Sequence, residues 1–332
     1  MAAINGRPVG IRGVGIGIPS VMRTNADMEK IVDTTNEWIV ERSGICSRYA
    51  VADDESNASL AVAAGLHALR DAGAEPDDLD MIMVGTNSPD TVVPGVGPRV
   101  QYLMGASKAG GMDIQAGCTG GLYGMAMAGG GIASEIWNNV LVIGSEVVSR
   151  LLDWKDRSTC VLFGDGAGAL LLSPWQPGMM RLTDIDLRAD GEFCDLISIP
   201  GGLAAEPASE LTLRDRRHFV KMNGREVFKF VNRKIPPYLE NFCSSCGITG
   251  QEVDWWIFHQ ANIRILEGVF RRLNVPIERA IINLDRFGNT SAASILMCLQ
   301  EARADGRIKS GQKIIMTSFG AGMTYGAALI ES

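Results

Sequence analysis

The chain contains 332 residues, of which 46% are hydrophobic and 21% charged, and its formal net charge is −7 at pH 7. This length can bury one large core or the cores of two ordinary domains, and the composition is that of a globular protein. The negative charge argues against a broad nucleic-acid-binding surface, because such a surface needs a basic face.

The cysteines indicate a reducing environment. Seven of them are scattered along the chain, and an odd, scattered set does not resemble a disulfide framework, so we predict a cytoplasmic protein. Cys243 and Cys246 have the spacing of a metal or redox pair, but neither a second pair nor a nearby histidine completes a zinc site. We interpret them as structural thiols and predict no metal site.

The sequence has no pattern typical of export or membrane insertion. The N-terminus lacks a basic region followed by an apolar core, so a secretory signal is not predicted. The uncharged stretch 116–133 contains seven glycines and little apolar bulk. This composition favours a buried helix over a membrane span.

Short apolar runs alternate with longer helix-like segments, and this alternation predicts an α/β fold. In chain order we expect a helix over residues 58–72, a strand over 81–84, a small-residue helix from Cys118, and strands over 141–143 and 255–258.

Four landmarks of the first half recur in the same order in the second half. The segments that precede two apolar runs, 78–80 and 252–254, are 174 residues apart. The segments that lead to Cys118 and Asn289 are 171 residues apart. The remaining pairs are 139–143 with 312–316 and 164–169 with 320–325.

This ordered repetition over a long interval predicts two duplicated βα halves, residues 1–174 and 175–332, although coincidence among common strand and helix patterns is an alternative. If the halves pack about a pseudo-twofold axis, the helices that follow Cys118 and Asn289 meet at the centre. Their N-termini would then share one site.

Cys118 lies in the segment QAGCTGG (115–121), after an expected strand and at the start of an expected helix. A helix N-terminus stabilises a thiolate, and lowering a free-thiol pKa of about 8.5 by roughly two units makes the thiolate the major form at neutral pH. We therefore interpret Cys118 as a candidate nucleophile. The alternative, from this segment alone, is a buried cysteine packed against small neighbours.

The chain has three histidines, which narrows the search for a base or hydrogen-bond donor. His67 lies within an expected helix, and His218 lies in a charged run that predicts a solvated loop. His259 follows the apolar run 255–258, at the carboxyl end of a strand, where α/β folds place their sites. Structural and catalytic roles both remain open for an isolated histidine at that position.

Two further segments could complete a site. Asn289 could simply cap its helix, but the duplication puts it opposite Cys118 and favours a functional role. The segment Gly320-Ala321-Gly322 could supply a backbone N–H that joins the N–H of Cys118 in an oxyanion hole. Tight-turn glycines without a catalytic role are the alternative there.

Five segments together make the chain similar to the β-ketoacyl-acyl-carrier-protein synthase III family over nearly its whole length. They are TNAD (24–27), DTTNEWIV (33–40), FGDGAGA (163–169), HQAN (259–262) and GNTSAAS (288–294). The resemblance implies an α/β, thiolase-like fold in which two duplicated βα halves form five layers, αβαβα. It also implies a homodimer and a Cys-His-Asn triad of Cys118, His259 and Asn289.

The activity implied by this resemblance is a decarboxylative condensation that starts fatty acid synthesis. The substrates would be an acyl-CoA and malonyl-acyl carrier protein, with no permanently bound cofactor. Cys118 would take the acyl group while the N–H groups of Cys118 and Ala321 hold the oxyanion. His259 and Asn289 would then stabilise the enolate that remains when the malonyl group loses carbon dioxide.

The same resemblance implies further site residues. Those expected to contact CoA or its pantetheine arm, with Trp38 and Arg157 on either side of the adenine, are Trp38, Arg42, Arg157, Gly224, Asn262 and Arg264. Those expected in the acyl pocket are Val93, Phe163 and Leu196. Those expected to dock the acidic carrier protein are Lys229, Arg264, Arg271 and Arg272, which by sequence alone are ordinary helix-surface charges.

Several departures from the family pattern leave the primer open. Val93 stands where well-known members carry a bulky aromatic residue that closes the primer tunnel across the dimer, so longer or branched primers would fit. Ala321 replaces a usual glycine, and Gly117, Thr119 and Gly120 alter the nucleophile segment. The alternative function is a related enzyme of secondary metabolism that condenses or transfers an unusual acyl group onto another acceptor. A catalytically silent partner subunit is a further alternative, which the intact triad disfavours.

Overall fold

The computed structural model describes residues 6–332. These residues form fourteen β-strands, many of them short and apolar. In chain order the strands are β1 (Val9–Gly17), β2 (Val21–Thr24), β3 (Ser47–Ala50), β4 (Met81–Gly85), β5 (Gly110–Ile114), β6 (Val140–Glu146), β7 (Gly166–Pro174), β8 (Met180–Ala189), β9 (Ile197–Ser198), β10 (Lys221–Met222), β11 (Trp255–Phe258), β12 (Ala280–Ile281), β13 (Lys313–Gly320) and β14 (Thr324–Glu331).

The same residues form eleven α-helices, together with short 3-10 turns. In chain order the helices are α1 (Asn25–Glu29), α2 (Asn36–Ser43), α3 (Asn57–Ala72), α4 (Val96–Met104), α5 (Gly120–Ala133), α6 (Arg157–Cys160), α7 (Glu210–Arg214), α8 (Gly224–Ser245), α9 (Ile263–Leu273), α10 (Leu284–Phe287) and α11 (Ser294–Ala304). Two 3-10 turns, Ser291–Ala293 and Ala321–Met323, contribute to the site described below.

Ten of the strands form one sheet whose two halves have the same topology. The order across the sheet is β12-β11-β13-β14-β8-β1-β7-β6-β4-β5. In the first half, β4 pairs in parallel with β5 and β6, and β6 pairs antiparallel with β7. In the second half, β11 pairs in parallel with β12 and β13, and β13 pairs antiparallel with β14. The halves join where β1 pairs with β8 over three residues. This repetition supports the proposed division into residues 1–174 and 175–332.

Helices cover both faces of the sheet and also fill the space between its halves. Helices α5 and α11 lie in the middle, where their apolar side chains form one buried cluster with the inner faces of both halves. Helices α3 and α4 cover the outer face of the first half, and α8 and α9 cover that of the second. The resulting five layers, αβαβα, confirm the predicted fold class.

The central strands are apolar because both of their faces are buried. All seven residues of β6 are buried, and so are the last three of the four in β11. A strand covered by helices on both sides reads as a continuous apolar run, and each large apolar side chain so buried contributes about 1.5–3 kcal/mol. The carboxyl ends of such strands are rigid positions for polar side chains.

Within residues 6–332, no helix combines the length and the apolar character needed to cross a membrane. In the same part of the chain, no three His, Cys, Asp or Glu side chains gather in a way that could hold a metal ion.

Gly121 and Gly130 lie in the same helix, α5, but only Gly121 lacks room for a side chain. A Cβ at Gly121 would lie 2.8 Å from the carbonyl oxygen of Ala292, whereas a Cβ at Gly130 would meet no atom within 4 Å. We expect Gly121→Ala to destabilise the protein by about 1–3 kcal/mol through overpacking. We expect Gly130→Ala to stabilise it by about 0.5–1 kcal/mol through helix propensity. Urea unfolding followed by circular dichroism measures both, and equal effects would contradict this packing of the central layer.

Candidate active site

Both halves of the chain line one cavity of about 1300 Å³. Cys118 reaches it from the first half, and His259 and Asn289 reach it from the second. The connection between β5 and α5 and the segment before α11 meet there because both helices lie in the central layer. The structure therefore brings the three predicted triad residues together at one cavity.

Cys118 lies in a backbone turn that packs directly against a second turn. A Cβ at Gly117 would come within 2.6 Å of the Ala321 backbone, and one at Gly320 would come within 2.3 Å of the Cys118 nitrogen. Gly117 has a φ of 58°, a left-handed conformation that favours glycine. The close approach places the backbone nitrogens of Ala321 and Cys118 at the contact between the two turns. The two groups predicted to form an oxyanion hole are thus adjacent.

The Cys118 thiol is protonated at neutral pH in this cavity. Burial raises its pKa to about 12, and the charge of Glu146 acts in the same direction, whereas hydrogen bonds from Ser291 and from the N–H groups of Ala321 and Cys118 lower the pKa. The predicted low pKa of Cys118 at a helix N-terminus is therefore wrong. Desolvation of the thiolate outweighs the nearby dipoles, and the sulfur lies two residues before α5 begins.

His259 is a buried, neutral imidazole. It directly follows β11, and its backbone N–H donates to the Thr317 carbonyl oxygen over 2.9 Å. Its ring contacts the Phe319 ring edge to face, with 5.4 Å between the ring centroids. Burial lowers its pKa to about 3. Nδ1 lies 2.7 Å from the hydroxyl oxygen of Ser294. That hydroxyl therefore determines which ring nitrogen carries the proton.

Asn289 precedes its helix and is held from two sides. Its backbone N–H donates to the Leu162 carbonyl oxygen over 2.9 Å, and its side-chain oxygen accepts the N–H of Ser291 over 2.9 Å. The side-chain NH2 is then the group left for a ligand. A helix starting at Asn289 was expected, but α11 begins at Ser294, after a 3-10 turn.

Ser291 links all three predicted triad residues. Its N–H holds Asn289, its carbonyl oxygen accepts the Ser294 hydroxyl that contacts His259, and its own hydroxyl oxygen lies 3.4 Å from the Cys118 sulfur. Its φ is 49°, a left-handed conformation uncommon for a residue with a side chain and often found at functional sites. Because of this conformation, the segment after Asn289 forms a 3-10 turn, and α11 begins only at Ser294.

Glu146 is a buried carboxyl group at the end of β6 that sequence reasoning did not identify. It is 0% exposed. Its oxygens accept hydrogen bonds from the N–H and side-chain amide of Asn87, from Ser88 and from Ser291, over 2.5 to 3.1 Å. Burial raises its pKa, and these hydrogen bonds oppose that rise. The sequence did carry a signal for Glu146, because this residue ends an apolar run that predicts a buried strand, and His259 was identified from the same kind of position.

Two other cavity-lining residues were missed. Phe319 precedes the Gly320 turn at the end of β13 and packs on His259. His218 was expected on a solvated loop, but it is half-buried and lines the cavity, with Nε2 2.9 Å from the Thr212 hydroxyl oxygen. The charged run around His218 predicts exposure to solvent, whereas its contact with Thr212 accompanies a position on the cavity lining.

The predicted CoA contacts lie around the cavity mouth. Five of them line the cavity, namely Trp38, Arg42, Gly224, Asn262 and Arg264. Arg157 does not line it, but its guanidinium lies 5.1 Å from the centre of the Trp38 ring. These two side chains, predicted to lie on either side of an adenine, therefore contact each other in the structure.

Of the three predicted acyl-pocket residues, one lines the cavity and two do not. Phe163 is buried and lines the cavity. Val93 is 83% exposed and lies outside the lining, although its neighbour Val92 contributes to it. Leu196 packs against the core beneath α8, and the adjoining β9 lines the cavity in its place. Within one chain, only Phe163 therefore joins the triad residues.

The predicted carrier-docking residues lie on two helices that pack together, α8 and α9. Lys229 forms an ion pair with Glu226 at 2.7 Å, and Arg264 forms one with Glu41 at 3.0 Å. The remaining two, Arg271 and Arg272, are exposed in the last turn of α9, where positive charge is favourable to the helix dipole. Arg264 is the member of this set that also lines the cavity.

The buried neutral His259 makes the stability of the protein decrease with decreasing pH. Its pKa is about 3 in the folded chain against 6.5 for an ordinary histidine, so below pH 6.5 the unfolded chain binds the proton and is favoured. We expect a loss of about 2 kcal/mol in the free energy of unfolding between pH 6.5 and about pH 5 from this residue. In His259→Gln that part of the loss should be absent when urea unfolding is measured at both pH values. An equal loss in the two proteins would contradict it.

Comparison with known proteins shows two family-model matches. Residues 112–191 match the model described as 3-oxoacyl-[acyl-carrier-protein (ACP)] synthase III, and residues 243–332 match the model of its C-terminal part. Among curated proteins, the chain is 43% identical over 323 residues to "Beta-ketoacyl-[acyl-carrier-protein] synthase III" of Desulfitobacterium hafniense, covering 97% of each chain. It is 41% identical over 326 residues to the protein of that name from Symbiobacterium thermophilum, covering 98% of each.

Solved structures show the same similarity in three dimensions. The 3-oxoacyl-[acyl-carrier-protein] synthase III of Aquifex aeolicus has a TM-score of 0.89 at 37% identity, covering 98% of this chain and 100% of that chain. A priming β-ketosynthase from a polyketide biosynthetic pathway has a TM-score of 0.90 at 29% identity, covering 100% of this chain and 98% of that chain.

Proposed function

Because the chain belongs to the β-ketoacyl-[acyl-carrier-protein] synthase III family of condensing acyltransferases, we propose that it starts fatty acid synthesis by joining an acyl-CoA primer to malonyl-acyl carrier protein. The reaction is a decarboxylative Claisen condensation through an acyl group on Cys118. The observation that carries the proposal is the convergence of Cys118, His259 and Asn289 from both halves on one cavity.

Acyl transfer to Cys118 is the first half of the reaction. The sulfur attacks the thioester carbonyl carbon, a bond forms between them, and the bond from that carbon to the CoA sulfur breaks. The carbonyl oxygen becomes an oxyanion, which accepts hydrogen bonds from the N–H groups of Cys118 and Ala321. The close packing of the turns that carry these two N–H groups supports this role.

His259 and Asn289 act in the second half. The thioester carbonyl of malonyl-acyl carrier protein accepts hydrogen bonds from the Asn289 NH2 and from His259 Nε2–H, and these stabilise the enolate left when carbon dioxide departs. The hydroxyl of Ser294 can donate either to Ser291 or to His259 Nδ1. In the second arrangement the neutral ring carries its proton on Nε2. The enolate carbon then attacks the acyl-cysteine.

The primer is delivered on CoA, which binds at the cavity mouth. Trp38 and Arg157 enclose the adenine after they separate, and Arg42 and Arg264 lie near the phosphates. Further in, Gly224 and Asn262 contact the pantetheine arm. The position of most of these residues on the lining supports the assignment, and a guanidinium over an indole is a favourable stack that a flat adenine can replace.

The enzyme functions as a cytoplasmic homodimer in which Val93 contributes to the partner's primer tunnel. Its side chain is 83% exposed, and the apolar side chains of Val92, Tyr102 and Leu103 are exposed on the same half. Strand β5 is also an unpaired edge of the sheet, which a second copy can cover. Phe163 helps to position the malonyl unit from within each chain.

The carrier protein docks on α8 and α9, beside the mouth of the cavity. The basic residues assigned to this surface are Lys229, Arg264, Arg271 and Arg272. They suit an acidic partner, because charge complementarity accelerates association more than it adds affinity.

A second candidate is a related role in secondary metabolism, with a longer or unusual acyl group and another acceptor. One observation favours it, the cavity volume of about 1300 Å³. The proposed place of the small Val93 side chain at the partner's primer tunnel is in keeping with it. Similarity to the priming β-ketosynthase of a polyketide pathway is in keeping with it.

The primary proposal is tested by intact-protein mass spectrometry. After incubation with a panel of acyl-CoAs, the wild-type protein should gain the mass of one acyl group, and Cys118→Ala should gain none. A chase with malonyl-acyl carrier protein should remove the added mass and yield a β-ketoacyl carrier product. Equal acylation of Cys118→Ala, or no acylation of wild type by any acyl-CoA, would refute the proposal.

The primer assignment of Val93 has its own test. We expect Val93→Phe to reduce acylation by long and branched acyl-CoAs at least about tenfold, because one misfitting group in an apolar pocket costs about 1–3 kcal/mol. Acetyl-CoA should react as before. Val93→Ala, which removes bulk at the same position, is the matched control and should retain all primers. Unchanged primer selectivity in Val93→Phe would show that this residue lies outside the tunnel.

A further inference from the structure

The hydrogen-bond partner of the Cys118 sulfur in this cavity is a serine. The Ser291 hydroxyl oxygen lies 3.4 Å from Sγ. Among residues 6–332, no hydrogen bond joins His259 to Cys118, and Nδ1 of the imidazole contacts Ser294. The thiol is also protonated at rest, because burial raises its pKa. A route for its proton is therefore required before sulfur can become a strong nucleophile.

Ser291 connects that sulfur to a buried carboxyl group. Its hydroxyl oxygen lies 2.9 Å from Glu146 Oε1. A hydroxyl has one proton, so Ser291 donates either to the sulfur or to Glu146. When it donates to Glu146, its oxygen is free to accept the proton of the Cys118 thiol. The three groups then form a continuous chain of hydrogen bonds, S–H to O–H to carboxylate.

The surroundings of Glu146 suit a group that takes up and returns a proton. The backbone and side-chain N–H groups of Asn87 can only donate, and they occupy one position on each carboxylate oxygen. Ser88 supplies a further donor at 2.5 Å. These neutral donors stabilise the carboxylate without an ion pair in the described part of the chain. Burial raises the pKa of the carboxyl group, so its protonated form is also accessible.

We propose that Glu146, acting through Ser291, accepts the proton of the Cys118 thiol during attack on the acyl thioester; this inference rests on the proposed function. As the bond from Sγ to the carbonyl carbon forms, the S–H bond breaks and its proton moves to the Ser291 oxygen. The Ser291 proton moves to Glu146 Oε1. When the carbon–sulfur bond to CoA breaks, Glu146 returns a proton to the Ser291 oxygen, and Ser291 gives its proton to the leaving CoA thiolate, which becomes a thiol. No charge is created or lost in total.

A purely electrostatic role for Glu146 predicts the opposite effect of its removal. The negative charge of Glu146 raises the pKa of Cys118, so Glu146→Gln would lower that pKa and make the thiol more reactive. The relay predicts a slower reaction, because the proton then has no acceptor. The sign of the change in reactivity therefore separates the two roles.

The first measurement is alkylation of Cys118 by iodoacetamide in the full-length protein, followed by peptide mass spectrometry between about pH 6 and pH 9. We expect Glu146→Gln and Ser291→Ala to react at least about tenfold more slowly than wild type at pH 7 and to show a steeper rise with pH, since hydroxide must remove the proton. Glu301→Gln changes a carboxyl group that bonds Asn283 and Arg286 and serves as control. Faster alkylation of Glu146→Gln, or an unchanged pH profile, would overturn the relay.

The second measurement is single-turnover acylation by an acyl-CoA. Loss of a proton acceptor should reduce the rate constant by about 10²–10⁴-fold, and Glu146→Asp, which keeps a carboxyl group, should recover part of the rate. A structural defect would instead affect Glu146→Asp and Glu146→Gln alike, and circular dichroism checks folding. If Glu146→Gln fails to fold, Ser291→Ala tests the same bridge with the carboxyl group in place. If no acyl-CoA acylates wild type, the proposed function fails, while the alkylation profile still decides the relay.

Discussion

The site depends on two backbone turns, one from each half of the chain, that pack together with no side chain between them. The turn at Gly117 and Cys118 meets the turn at Gly320 and Ala321 so closely that a Cβ on either glycine would overlap the opposite backbone. This contact places the backbone nitrogen of Ala321 beside the turn that carries Cys118. A site divided in this way exists only when both halves are folded and docked, because each half supplies groups that the other lacks.

Burial determines the protonation states of Cys118 and His259. Desolvation raises the pKa of Cys118 to about 12 and lowers that of His259 to about 3, so both are neutral at rest. A thiolate and imidazolium pair would need solvation that this cavity withholds. The same exclusion of water strengthens each hydrogen bond to a developing charge. The chemistry therefore depends on moving protons within a hydrogen-bonded network, and the turn at Ser291 is the point where the branches of that network meet.

The rim of the cavity differs in character from its floor. The floor is formed by strand ends and backbone turns held by burial on both faces of the sheet, whereas the lining side chains of Trp38, Arg42 and Arg264 are half-buried or exposed. Neither Arg42 nor Arg264 belongs to the buried core, whereas Trp38 packs against it. The two arginines can therefore change with less effect on the packed layers than the residues of the floor.

Sequence alone determined the α/β class, the internal repeat and the three side chains at the cavity floor, because strand ends, glycine turns and spacing are local properties of the chain. The family resemblance supplied the five layers and the roles of those side chains. Only the tertiary structure decided the protonation state of Cys118 and the importance of Glu146 and Ser291. Protonation depends on desolvation, and the contacts of Ser291 join residues 145 and 173 positions apart. Neither burial at an atom nor such a distant contact is visible in a local pattern.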